Sequence, residues 1–123
     1  MKKIELEYIL KTSKKIIYSR ISTASGLSEW FADNVSINDN VFTFTWDGYN
    51  ELAKISSKKK EEHVKFSWLD KNKKYFKFTI QKHNHSKEIS LLITDFIDDD
   101  ENIEDAENLW KKQIGVLRRH LGC

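Results

Sequence analysis

Proline is absent from the 123 residues, and glycine occurs only four times. No Pro/Gly/Ser-rich linker divides the chain and no internal repeat is visible, so the expectation is a single domain over residues 1–123. A chain of this length can bury roughly two-thirds of its unfolded surface. The one cysteine, Cys123, excludes an internal disulfide, which fits a reducing compartment. With no residues after it, Cys123 is not a prenylation box and reads as an exposed thiol without a role. No run approaches the roughly 20 apolar residues that a membrane span needs. The opening "MKKIELEYILK" alternates charged and apolar residues and has no uninterrupted apolar stretch of a signal peptide. These absences predict a soluble, cytoplasmic protein with no stable membrane insertion. An excess of one charge is missing too. There are 21 basic and 19 acidic residues, a formal net charge of +2, which gives no global electrostatic reason to expect nucleic acid or an anionic membrane.

What the chain does have is aromatic residues, 12% of the total, set in runs of period two. In "KIELEYIL", Ile4, Leu6, Tyr8 and Leu10 share one face. The same alternation sets Phe42, Phe44 and Trp46 against Val41, Thr43 and Thr45. It sets Val64, Phe66 and Trp68 against Lys65 and Ser67, and Phe76, Phe78 and Ile80 against Tyr75, Lys77 and Thr79. Finally, Ile89, Leu91 and Ile93 oppose Ser90, Leu92 and Thr94. Repeated alternation with one wet face predicts an antiparallel sheet covered on one side only. The polar segments "NDN", "KKK", "DKNKK" and "HNHS" separate the runs by hairpin-length gaps. A further strand fits "YNELAKIS", 49–56, giving about seven strands, mostly a meander.

Two regions break this period. "TSKKIIYSRIST" (12–23) places Ile16, Ile17, Arg20 and Ile21 at helical spacing, with Thr12 or Ser13 as N-cap. "SGLSEWFAD" reads as a second short helical turn. Near the C-terminus, Ile103, Ala106, Trp110, Ile114 (or Gln113), Leu117 and Leu121 recur every three or four residues. Acids lead this stretch and bases close it, as the helix dipole favours. A helix from about 99 to 121 would span roughly 33 Å. A sheet with one apolar face needs a cover, and this helix is the long amphipathic element available. The predicted class is therefore α+β, a curved antiparallel sheet wrapped around the C-terminal helix, with two short helices closing one end.

The order strand, two short helices, six-strand meander, long helix resembles the START-like (SRPBCC) superfamily. Its helix-grip fold is shared with birch-pollen-allergen-type proteins. "ISTASGLSEWFAD" and "NLWKKQIGVLRRHLG" resemble the corresponding segments of its chaperone-ATPase-activator-like branch, and the likeness covers essentially the whole chain. That family pattern often has a proline in the turn before Gly26; here the turn is "TAS". The resemblance implies an internal cavity whose mouth is framed by the short helices and the long one. Trp30 and Phe31 would then stand at the mouth, with Trp110 reaching toward them. They could equally seal the end of the core as a hydrophobic lid; the two roles are compatible.

Candidate chemistry is sparse. His83 and His85 flank Asn84 in a predicted turn, with no third ligand nearby in sequence for a metal shell. His63 is expected at a strand start and His120 near the helix end. There is no Gly-rich phosphate loop and no nucleophile elbow. The acidic run "DFIDDDENIEDAE" has no glycine for a calcium loop and reads as helix-start acidity. In "KNKKYFKF" the aromatics Phe76 and Phe78 are needed in the core, which argues against stacking on nucleic acid. Lys58–Lys60 and Lys71–Lys74 are assigned to turns. No catalytic residue, metal ligand or cofactor is assigned.

A curved sheet gripping one helix leaves room for an apolar pocket. The candidate ligand-binding residues are Trp30, Phe31, Phe44, Trp46, Glu51, Phe66, Phe78, Leu91, Trp110, Ile114 and Leu117, with Phe42, Trp68 and Phe76 on the same concave face. Glu51 is the odd member, a carboxylate sharing a face with Tyr49, Ala53 and Ile55; a one-residue slip would put Leu52 there instead. The leading reading is non-enzymatic binding of a small hydrophobic molecule or lipid. The alternative is a protein-interaction module with a filled core, as the chaperone-activator resemblance implies. An enzyme of the cyclase or hydratase kind ranks third.

Overall fold

The computed structural model describes residues 1–70 and 74–123. Over these residues the order is β1 (Lys2–Ile9), α1 (Lys14–Ser22), α2 (Ala24–Ser28), β2 (Asn34–Asn38), β3 (Val41–Trp46), β4 (Tyr49–Lys59), β5 (His63–Trp68), β6 (Tyr75–Lys82), β7 (Ile89–Ile97) and α3 (Ile103–Leu121). The strands form one sheet in the order β1-β7-β6-β5-β4-β3-β2, antiparallel at every junction. The first strand thus lies beside the last, and the rest is the predicted meander. A register shift between Ile55 and Ser57 breaks the β4–β5 ladder, as a bulge that bends a sheet does. This is the α+β helix-grip architecture.

The period-two faces are observed. Phe44, Phe66, Phe78, Val64, Leu91 and Ile93 are fully buried. Across them lies α3, held by Trp110, Ile114 and Leu117, which are buried at i, i+4 and i+7. The helix is tied down at both ends of that stripe. Trp110 Nε1 donates to Asp95 Oδ2 of β7 at 3.0 Å. The Arg118 guanidinium donates to the Ile9 carbonyl of β1 at 2.8 Å.

The structure corrects several expectations. The helix begins at Ile103, not near 99. Asn102 is its N-cap and accepts from Glu104 N, while the segment before it turns, with Glu101 N donating to Asp98 O. Lys58 and Lys59 belong to β4, and the turn falls at residues 60–62. Of the lysines assigned to the next turn, those at 71 and 73 lie outside the described residues. The outer face of β7 is not wet: Ser90 and Thr94 are buried, because β7 is an interior strand between β1 and β6. At α1 the cap is Ser13. Ile17 and Ile21 are buried but Ile16 is exposed.

Candidate functional site

The core does not close along the whole of α3. At the end where the helix starts, an open groove of about 750 Å³ lies between the concave sheet and the first turns of α3. Its aromatic wall includes Phe31, Trp46, Trp68, Phe76 and Trp110, from four different elements and the α2–β2 connection. The cause is local. The first α3 apolar residue lining the space is Ala106, a methyl group, while Ile103 does not line it and Leu109 is 59% exposed at its lip. The sheet and helix therefore diverge before Trp110 joins them.

Phe31 organises this end. Its ring stacks on Phe76 at 5.1 Å and on Trp110 at 5.6 Å, and meets Phe44 and Trp46 edge-on at 5.2 and 5.3 Å. Such tilted and offset pairs are the favoured aromatic geometries. Its carbonyl accepts from Trp46 Nε1 at 2.9 Å and from Gln113 Nε2 at 2.8 Å, using both acceptor positions of one oxygen. Its neighbour Trp30 turns the other way. The Trp30 indole N–H reaches the Arg20 carbonyl of α1 at 2.9 Å, and its ring lies 5.6 Å from Phe78. The pair is placed by a tight α1–α2 corner. A Cβ on Gly26 would come 2.2 Å from the Ser19 carbonyl oxygen and 2.7 Å from Arg20 Cα, so only glycine fits there without displacement. Thr23 caps α2 through Gly26 N. Thus Trp30 seals the corner while Phe31 forms the groove wall.

Among the eleven candidate residues, Phe31, Trp46, Glu51 and Trp110 line the groove. Trp30, Phe44, Phe66, Phe78, Leu91, Ile114 and Leu117 do not; they are buried in the close-packed core. The inner face of a strand is continuous, and period two cannot say where along it the packing opens. Glu51 does face inward, paired with Phe44 across β3–β4, in the register expected for it. Missed in sequence was a second inward carboxylate, Asp95. It follows Leu91 and Ile93 on the same face of β7, so period two extended by one more residue would have found it. Asp47, Asp98, Glu101 and Asp105 stand around the same groove, with Lys74. Lys74 pairs with Asp98. That contact raises the Lys74 pKa, and the hydrogen bond from Lys74 lowers that of Asp98.

A START-like superfamily domain is the family whose model matches, over residues 1–123. The chain belongs to the START-like superfamily. BfR322 from Bacteroides fragilis, known from a solution NMR structure, is similar at 39% identity. The match covers 98% of this chain and 90% of that one, with a TM-score of 0.66. The Aha1 dimer from Colwellia psychrerythraea shares the fold at 15% identity, 95% and 93% coverage and a TM-score of 0.79. So does XoxI from Bacillus cereus, at 10%, 98% and 95%, and 0.81. No curated protein matches the chain.

Away from the groove, this START-like domain carries a polar cluster between β1 and the β6–β7 hairpin. Glu7 of β1 accepts from the Ser90 hydroxyl, and His83 Nε2 lies 3.0 Å from the same carboxylate oxygen. The Ser90 hydroxyl holds the Glu7 pKa below the usual glutamate range, against the opposing effect of burial and with His83 adding to the lowering. A nucleophilic triad needs the imidazole between hydroxyl and carboxylate. Here a single imidazole nitrogen, His83 Nε2, faces both the carboxylate and, at 3.3 Å, the Ser90 hydroxyl, which itself donates to Glu7 and is buried, so the cluster is a structural tie between β1 and the β6–β7 hairpin. His63 bonds Ser57 Oγ at the start of β5. Among the described residues, no group of three or more His, Cys, Asp or Glu is placed to hold a metal, and no helix is long and apolar enough to cross a membrane.

Proposed function

We propose that the domain binds a small hydrophobic molecule or lipid in the groove beneath the first turns of α3. One observation carries this reading: a space of about 750 Å³ walled by aromatic rings, within the size range of small-molecule sites. Phe31, Trp46, Glu51 and Trp110 are the contact residues among those expected from sequence, and Trp68, Phe76 and Asp95 join them. Binding needs no bond-making group, and the assignment is a carrier or sensor acting as one domain over residues 1–123. Native mass spectrometry of the protein purified from its own cell tests it. A co-purifying mass of lipid or metabolite size, lost in Ala106→Phe, is the expected result.

The second reading is a protein-interaction module, in line with the fold shared with the Aha1 dimer. It is favoured by Leu109, 59% exposed on the groove's lip, and by Ile103 at 42%. Absence of any bound small molecule, together with a partner whose capture is lost on Leu109→Asp, would replace the first reading by this one.

A further inference from the structure

The groove combines two features that select the same kind of guest. Its walls include Phe31, Phe76 and Trp110, stacked on one another and nearly buried, and the more exposed indoles of Trp46 and Trp68. Its interior and lip carry Asp47, Glu51, Asp95, Asp98, Glu101 and Asp105 against Lys74 among the described residues. Lys71 and Lys73 of the adjoining β5–β6 connection are outside the described residues. The chain as a whole is +2, so the groove runs against the sign of the molecule around it. Aromatic faces attract cations through their quadrupoles, and a cleft lined by one sign of charge concentrates counter-ions of the other.

We infer that the groove's ligand is a small organic cation, an amine or quaternary ammonium on an apolar body, and not a fatty acid or other anionic amphiphile. The inference rests on the groove being a ligand site. The apolar body lies along the aromatic wall, and the cationic head stands toward the lip where Asp47, Glu101 and Asp105 are found. A carboxylate head at the same place would face like charges and lose its hydration.

Three probes with the same body separate the inference from the reading beneath it: 4-phenylbutylamine, 4-phenylbutyrate and 4-phenyl-1-butanol. Binding is read by tryptophan fluorescence, since Trp46, Trp68 and Trp110 line the groove, and located by amide chemical shifts. The alcohol binds, and at low ionic strength the amine binds at least about fivefold tighter than the carboxylate. The ratio shrinks in high salt and in the double variant Asp47→Asn, Asp105→Asn. Both positions are safe to change: residue 47 has φ 48°, which asparagine tolerates, and Asp105 is exposed on α3. If the alcohol binds but the amine has less than that advantage, the cation inference falls and the groove stands. If none of the three perturbs groove residues, both fall.

Discussion

The two halves of α3 meet the same sheet and do different things. From Trp110 onward, Ile114 and Leu117 are fully buried against a face carrying Leu91, Ile93 and Phe78. Before Trp110, the helix offers Ala106 to the sheet and leaves Leu109 and Ile103 exposed, at 59% and 42%. One half maximises burial; the other leaves about 750 Å³ unfilled. Charge follows the same division. Acids collect at the open half, where carboxylates also suit the helix N-terminus, and Arg118, Arg119 and His120 close the packed half. Stability and binding are thus assigned to different turns of one helix, with Trp110 and Phe31 at the junction.

Substitutions test this division, beginning with the junction itself. Phe31→Ala and Trp110→Ala should each cost about 3–5 kcal/mol, as truncations of buried aromatics do. Each removes stacking, and Trp110→Ala also leaves Asp95 without its indole donor. Chemical denaturation giving under about 1 kcal/mol for either would mean the junction is not packed. Gly26→Ala should cost about 1–3 kcal/mol, because the new methyl group meets backbone atoms of α1 that cannot rotate away. An unchanged midpoint would show that the corner yields freely.

Glu7→Gln should cost less than about 1 kcal/mol, since the Glu7 side chain is 41% exposed and solvent screens its contacts. The folded-state pKa of Glu7 is depressed. Its contribution is therefore present above the ordinary glutamate range and is lost as pH falls through the folded value. Acid unfolding curves of wild type and Glu7→Gln should converge at low pH; divergence there would contradict the tie. Last, Ala106→Phe should change stability by under about 1 kcal/mol while abolishing ligand binding. A large stability change would show that the first half of α3 is already packed and that the two halves do not differ.

Much of the architecture could be read from alternation. Five runs of period two, one long amphipathic stretch and short polar breaks leave few ways to cover an apolar sheet face. The misplaced helix start has a simple cause. Asp98–Glu101 have the acidic character of a first turn, but Asn102 supplies the better cap, and acidity alone does not distinguish the turn before a helix from the turn within it. Ser90 and Thr94 looked solvated because a hydroxyl on the outer face carries no mark of an interior strand. The site was harder to read. Glu51 was recognisable as a carboxylate out of pattern, whereas Asp95 was read as the first member of the acidic run that it begins.

Local patterning, in short range along the chain, decided which residues face inward, where helices replace strands, and that sheet and helix must embrace. It could not decide where that embrace loosens. The groove exists because Ala106 is too small for the gap that Trp46, Trp68 and Phe76 leave across from it. Those three side chains come from strands brought together only by the meander. A void is a difference between volumes contributed by distant segments, and it has a value only when they are assembled.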